Sequence, residues 1–483
     1  MITRVLDHLS WLVLRWKGEA RTFMLNKLSL FPHNTILDGE GHLTLHNHRV
    51  TDLAGQFGTP LYVYDVETIR TNIRRYREAL ATYPGPSRLT YASKAYLSVA
   101  LARLMAAEGV GLDVASAGEL FIARQGGADP AQMHMHGNNK SRLDLSEALQ
   151  AGVGRMVVDN ATELQLLATL AAERQQPVNI WLRVTPDITV ETHHRYTVTG
   201  TADSKFGFPL KEAELVAGEL LIKQQGSRGA EGQGREENSP PHPRTPAPLH
   251  LRGLHLHLGS HFHDVEPVAE GVERLLDVAV RLRERYGWDM QELCPGGGWG
   301  VPYHPNDPPM PIEPFAKSLV AAIVEGCRRR SLPLPELVLE PGRSLVAQAG
   351  VALYTVGGRK VIPGVRTYVS IDGGLADNPR PALYQAKYTA LLANRASEAE
   401  TETVAIAGPF CESGDVLIQA VDLPLAAPGD ILAVPVAGAY QLSMGSNYNA
   451  ALRPAVVFIE GEEVRLVQRR ETFEDLVMRD RVD

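Results

Sequence analysis

The chain has 483 residues, 44% of them hydrophobic and 22% charged, with a formal net charge of −8. That length exceeds one ordinary domain and suits a barrel of roughly 250 residues plus a second unit. The composition excludes a chain that is disordered or membrane-embedded as a whole, the negative balance argues against a nucleic-acid partner, and three scattered cysteines, Cys294, Cys327 and Cys411, are too few for a disulfide framework or a zinc site and favour a reducing, cytoplasmic compartment.

Residues 1–23 carry an apolar patch at 11–14, far shorter than a membrane span and without a small-residue cleavage site, so no export signal is read. They are either an amphipathic extension or a start placed ahead of Met24. Residues 24–58 contain short alternating stretches, Leu43-Thr44-Leu45 and His48-Arg49-Val50, expected as strands that join a later β domain. The apolar run 61–65 follows a turn, and 66–80 reads as a helix with Arg70, Arg74 and Arg75 on its solvent side. A barrel is placed from 59 to 345. Its strands are eight apolar runs, 88–90, 111–116, 133–137, 155–159, 178–184, 251–259, 292–298 and 336–342, separated mostly by helix-like stretches. Strand-helix alternation repeated eight times predicts a (β/α)8 barrel, whose active site is built from the loops after the strands. At 224–247 the composition shifts to Gly, Glu, Arg, Ser and Pro, expected as a disordered insertion. From 346 to 483, short Val-, Ile- and Thr-rich runs between Gly, Pro, Asp and Asn predict a mainly β domain, ending in a polar tail from Arg469.

Polar residues collect where the barrel runs end: Lys94, Asp113, His136, Asp159, Arg183, His257, Gly296–Gly298 and Glu340. One lysine, one histidine, a glycine cluster and one carboxylate at one mouth point to a phosphorylated carbonyl cofactor. A buried lysine amine has a depressed pKa and can form a Schiff base. In Gly253-Leu254-His255-Leu256-His257 the alternation puts both histidines on one strand face, with His257 against an aromatic ring and His255 deeper, where a hydrogen-bonded core histidine is the competing reading. Gly296, Gly297 and Gly298 allow close backbone approach to a phosphate. In Glu340-Pro341-Gly342-Arg343, the carboxylate suits a protonated ring nitrogen and the arginine suits a substrate carboxylate, an ion pair between the two being the alternative. Three clusters stand out in the β domain, 372–384, 408–415 and 438–449, each mixing glycine with acidic, thiol, amide or phenol groups. Cys411 is either a proton donor or a small buried hydrophobe.

These motifs, in this order, resemble those of the diaminopimelate decarboxylases, pyridoxal-phosphate enzymes of the alanine-racemase-like barrel fold. The resemblance runs from about Gly41 to Asp475, broken by the 224–247 insertion. It implies that Lys94 holds pyridoxal phosphate, that His257 stacks on its ring and that Glu340, in the Glu340-Pro341-Gly342-Arg343 motif, pairs with the ring nitrogen. It implies that Ser260, Gly296 to Gly298 and Tyr440 bind the phosphate, that Pro341, Gly342 and Arg343 also line the cofactor, and that Arg343, Arg380, Tyr384 and Glu412 hold the distal end of the substrate, with Tyr440 contacting the substrate as well. Cys411 would supply a proton from a second subunit, so a homodimer with shared sites is expected, acting on meso-diaminopimelate to give L-lysine and carbon dioxide. The 187–208 loop resembles the family's specificity region. Cys294-Pro295, Trp299 and the long insertion depart from the family pattern. The alternatives are a sister decarboxylase acting on carboxynorspermidine, ornithine or arginine, and a non-catalytic cofactor-binding homologue.

Overall fold

The computed structural model describes residues 27–188, 200–201, 203–231 and 249–481. The 1–23 extension, most of the 187–208 loop and residues 232–247 of the insertion lie outside them. The chain divides into two compact units, one made of Met1–Thr71, Val301–Met310 and Leu345–Asp483, the other of Asn72–Gly300 and Pro311–Ser344.

The first unit opens with a small antiparallel sheet, β1 (Thr35–Leu37), β2 (Leu43–Leu45) and β3 (His48–Arg49), followed by helix α1 (Val50–Phe57) and strand β4 (Leu61–Asp65). The sequence boundaries place β4 in the barrel. Its position is different, because both of its edges are taken by strands of the later β region. It pairs antiparallel with β14 (Gly350–Ile362) and parallel with β20 (Ala455–Glu460). Period-two alternation sends Leu61 and Val63 into a core with Leu43, Leu45, Leu53, Val351, Leu353, Val457 and Ile459. On the opposite face Tyr62 OH donates to Asp377 Oδ2 at 2.9 Å and Tyr64 OH to Gly438 O at 3.0 Å.

Helix α2 (Val66–Leu80) leads to the barrel strands β5 (Ser87–Ala92), β6 (Gly111–Val114), β7 (Met133–Met135), β8 (Arg155–Val158) and β9 (Val178–Thr185), the two-residue β10 (Phe208–Pro209), then β11 (Leu249–His255), β12 (Glu292–Cys294) and β13 (Glu336–Leu339). Eight of these are parallel neighbours in a ring: β13 pairs β5 with Leu337 opposite Ser87, and β8 pairs β9, so the sheet closes, while β10 adds to β9 alone. Several strands end earlier than the apolar runs suggest. Asp113 and Arg183 stay within their strands, whereas the glycines at the run ends belong to the loops, as at Gly137 with φ 121° and Gly296 with φ 74°.

The helices α3 (Val99–Ala107), α4 (Ala117–Gln125), α5 (Arg142–Ala151) and α6 (Ala161–Arg174) start on the side-chain caps Ser98, Ser116, Ser141 and Asn160, each accepting a backbone N–H of the first turn. Such a cap stabilises a helix by about 1 kcal/mol. Helix α7 (Leu210–Glu231) runs through the first residues assigned to the insertion. Helices α8 (Glu266–Tyr286) and α9 (Ile312–Arg329) complete the outer layer, α8 burying Val268, Val272, Leu275, Ala279 and Leu282 at helical spacing.

In the first unit, β14 also pairs with β15 (Arg366–Ile371), and the remaining strands are β16 (Leu391–Leu392), β17 (Glu402–Ala407), β18 (Val416–Leu423), β19 (Ile431–Val434), β20 and β21 (Glu463–Gln468). The decapeptide Val301–Met310, inside the sequence limits of the barrel, groups with this unit: the Tyr303 ring meets that of Tyr388 at 5.3 Å.

Candidate active site

The ends of the barrel strands gather around one buried carboxylate. His134 Nδ1 lies 3.0 Å from Glu340 Oε1, His136 Nε2 3.1 Å from the same oxygen, and His255 Nε2 3.1 Å from Oε2. Two residues apart on β7 and the loop after it, His134 and His136 share the inward face, and His255 closes β11. Below them Trp181 covers two of the rings, with centroids 4.4 Å from His134 and 6.3 Å from His255, the latter nearly parallel at 7°. Its Nε1–H donates to Glu292 Oε2 at 2.5 Å, and Arg155 Nε reaches the same oxygen at 2.6 Å.

Burial works against the charged form of Glu340, but the attraction of His136 and the hydrogen bonds of His134 and His136 outweigh it, and its pKa lies well below the usual carboxylate range. Burial pushes His255 down to about 3 and lowers His134, in both cases against the pull of Glu340. His136 lies 3.6 Å from Asp113, and although burial opposes its charge, Asp113 and Glu340 raise its pKa. His257 is held well below the ordinary imidazole value by burial and by the positive charges of Lys94 and Arg183. Arg183 lies 3.6 Å from Asp159 and over the Phe206 ring at 4.2 Å.

Lys94 sits in a 3-10 turn, Ser93–Ala95, at the end of β5. It is exposed, which corrects the expectation of a buried amine: its neighbours Ser93 and Ala95 turn inward and leave Lys94 at the open end. His257 falls two residues past the end of β11 and is half-buried, and its Nδ1 would be 2.9 Å from a Cβ at position 296. A Cβ at 297 would stand 2.0 Å from Glu340 O, and one at 298 would meet the Phe262 ring at 2.3 Å and Gly259 O at 2.4 Å. Only glycine lets this loop pass. The N–H groups of Gly297 and Gly298 have no acceptor among the described residues, as a loop that takes an anion requires. Gly342 packs against Ala92 and Ala95, where its own Cβ would lie 3.1 Å from each of theirs, and Pro341 O accepts from Ala92 N at 3.1 Å, so this motif braces the lysine turn. Arg343 Nη2 donates to Ser260 Oγ at 3.0 Å, joining two residues expected to hold different groups.

The three β-domain clusters come together within their own unit. Asp415 accepts from Leu375 N at 2.7 Å and from Phe410 N at 2.9 Å, tying the first cluster to the second. Cys411 N donates to Asn449 Oδ1 at 2.9 Å, and Ser446 N to Ala376 O at 2.8 Å, which brings in the third. Cys411 and Glu412 are exposed on this junction, so the buried-hydrophobe reading of Cys411 does not hold. Arg380 is buried, 4.6 Å from the Tyr303 ring centroid, and donates to Tyr388 OH, which also accepts from Gln441 Nε2 at 3.0 Å. Tyr384 and Tyr440 are half-buried, Tyr440 with a left-handed φ of 59°.

Sequence reasoning missed the convergence of His134 and His255 on Glu340, although the alternation Met133-His134-Met135-His136 signals two inward histidines. It also missed Trp181, Arg155 and Glu292, charged or polar-tipped residues within barrel strands.

The pattern describing the pyridoxal-dependent decarboxylase, pyridoxal binding domain, matches residues 66–226 and 244–347. A diaminopimelate decarboxylase of Bacillus subtilis is 42% identical over 93% of this chain and 98% of its own length, and one of Halalkalibacterium halodurans is 41% identical over the same shares. The crystal structure of diaminopimelate decarboxylase from M. jannaschii in co-complex with L-lysine is similar with a TM-score of 0.80 and 31% identity, covering 94% of this chain and 98% of that one.

Proposed function

The chain belongs to the pyridoxal-phosphate-dependent diaminopimelate decarboxylases, and on that premise we propose which of its side chains carry each part of converting meso-diaminopimelate to L-lysine and carbon dioxide. The cofactor supplies an aldehyde that joins an amine and a protonated ring that draws off the electrons of the bond broken at Cα. Lys94, at the open end of β5, would hold the aldehyde carbon and yield it to the amine at the D-configured end of the substrate. Neutral His257 would lie against the ring face. Ionised Glu340 would face the ring nitrogen and favour its protonated form. The bare N–H groups of Gly297 and Gly298, with Gly296, Ser260 and Tyr440, hold the phosphate, and Pro341 and Gly342 keep the lysine turn in place. Arg343, Arg380 and Tyr384 grip the distal end of the substrate.

The same proposal makes the enzyme a cytoplasmic homodimer with shared sites. Cys411 of the partner subunit delivers the proton to Cα, and Glu412 of the partner subunit contacts the distal end. The exposure of both residues supports this, and free rather than paired cysteines fit the compartment. Among the described residues no helix is long and apolar enough to cross a membrane.

The observation that carries the assignment is Glu340, held ionised by three imidazoles beside a glycine loop with unused N–H groups. Release of carbon dioxide and L-lysine from meso-diaminopimelate by the purified, cofactor-loaded enzyme tests it, beside Lys94→Ala and Cys411→Ala. Both variants should lose lysine formation. Retained turnover in Lys94→Ala would remove that lysine from the chemistry, and an intact substrate with wild-type enzyme would overturn the distal-end assignments.

A further inference from the structure

Three imidazoles around one carboxylate are more than an ion pair needs, and they are not equivalent. His136 stands between two carboxylates, Asp113 and Glu340, and is placed to carry a positive charge. His134 and His255 face Glu340 with a single nitrogen each, Nδ1 and Nε2 respectively, while His134 Nε2 and His255 Nδ1 are buried with no hydrogen-bond partner among the described residues. A protonated ring at either position would bury a second N–H without an acceptor, which a protein interior penalises. A neutral ring has one N–H to give and one lone pair that can stay bare against apolar surface. The Trp181 indole lies beside both rings, and all three side chains are buried.

We propose that His134 and His255 are positioning residues, neutral imidazoles that hold Glu340 by one N–H on each of its oxygens and add no positive charge to that of His136, which Asp113 shares, so that negative charge remains for the ring nitrogen of the cofactor. This rests on the reading that Glu340 faces that nitrogen. Donors on both oxygens fix the carboxylate plane, which a single contact cannot do. Because these two donors are neutral, they orient the carboxylate without cancelling its charge further; a second and third imidazolium beside His136 would compete with the protonated ring for the same charge. The other charged or titratable groups around Glu340 are His136 and Asp113 from the neighbouring strand ends, His257 just past β11, Cys294 from β12, and Arg183. Sequence alone hides the arrangement, since His255 reads as an ordinary core histidine.

The two tautomers give a selective test in the holoenzyme. Asparagine places its amide N–H near the position of Nδ1 and glutamine near that of Nε2, so His134→Asn and His255→Gln should preserve function while His134→Leu and His255→Leu should not. Each leucine variant is expected to bind pyridoxal phosphate about tenfold more weakly, the loss expected for one hydrogen bond to a charged group. Its kcat should fall with KM for meso-diaminopimelate unchanged, and the pH midpoint of the bound cofactor's absorption change should move to lower pH. Folded leucine variants that keep the wild-type cofactor affinity and pH midpoint would overturn the proposal. Should they not fold, 15N chemical shifts of the wild-type imidazoles decide it: a single N–H on His134 and on His255 from pH 6 to 9 supports it, and double protonation of either refutes it. Stoichiometric zinc in the purified enzyme would also refute it, because a metal needs the lone pairs where these N–H groups are assigned. Glu340→Gln separates the two readings. If that variant keeps the cofactor spectrum and turnover, the role of Glu340 fails; if it is inactive while the histidine variants are not, only the positioning role fails.

Discussion

Replacing Lys140 by methionine should destabilise the barrel unit sharply while leaving its shape almost unchanged. Lys140 ends the loop that begins at His136, and its ammonium is buried against three acceptors: Glu163 Oε1 at 2.8 Å, Gly137 O at 2.7 Å and Val157 O at 2.7 Å. Methionine fills similar volume and donates nothing. Two backbone carbonyls lose a charged donor, at about 1–3 kcal/mol each if left bare, and breaking one side of a buried ion pair costs about 3–5 kcal/mol. These overlap, so the expected loss is about 3–5 kcal/mol. The sign of its pH dependence follows from Glu163, whose carboxyl burial raises to about 7 even with Lys140 attracting its charged form. A folded pKa above the unfolded one means that ionisation is resisted in the fold, so stability falls as pH rises. Without Lys140 this loss should continue from pH 6 to 9, with a slope of up to ~1.4 kcal/mol per pH unit. Urea unfolding followed by tryptophan fluorescence reads the barrel, which holds Trp181, Trp288 and Trp299. The double variant Lys140→Met with Glu163→Leu should recover about 2 kcal/mol, since no uncompensated carboxyl is left buried. A loss below about 1 kcal/mol at pH 8, or a double variant worse than the single one, would show that the pair does not stabilise the barrel as argued.

Gly297→Ala should yield a folded protein that no longer retains pyridoxal phosphate through gel filtration, because its Cβ would sit 2.0 Å from Glu340 O; cofactor retention like the wild type would contradict the close approach. If sites are shared between subunits, refolding Lys94→Ala and Cys411→Ala chains together should restore up to about a quarter of the wild-type activity, since half of the dimers are mixed and each has one intact site; no recovery would place both residues in one chain's site. Asp377, raised to about 6 by burial despite hydrogen bonds from Tyr354 and Tyr62, should make the wild-type thermal midpoint fall between pH 4 and 6 relative to Asp377→Asn, whereas a constant difference would assign the aspartate no titration there.

The barrel was legible because every one of its strands is a short apolar run closed by a polar or glycine residue, and its helices announce themselves with caps such as Ser141 and Asn160. Strand β4 was misplaced for the same reason: Leu61–Asp65 has the same local texture, and what assigns it is pairing with strands nearly 300 and 400 residues away, which no local pattern carries. Lys94, His257, Glu340 and the glycine loop could be named from their places at run ends. His136 could be named in the same way, but His134 and His255 could not be seen as partners of Glu340, because a histidine inside a strand looks alike whether it is a core residue or aimed at a carboxylate from another strand. The exposure of Lys94 and of Cys411 likewise depends on how turns aim side chains. The meeting of the three β-domain clusters rests on single contacts such as that of Asp415 with Leu375.

The pairing of β4 sets the order in which the protein can be completed as it is made. This strand emerges with the first 65 residues, yet one of its neighbours begins at Gly350 and the other at Ala455. At ~5–20 residues per second, the 390 residues between Asp65 and Ala455 take roughly 20 to 80 s to synthesise. Both edges of the apolar strand Leu61–Asp65 are unfilled until Gly350 and its neighbours are made, and one stays unfilled until Ala455, while the barrel is built behind it. Such an edge can recruit any other extended chain nearby. Soluble yield should therefore respond to translation speed and to truncation before residue 460 more strongly than to destabilising changes within the barrel.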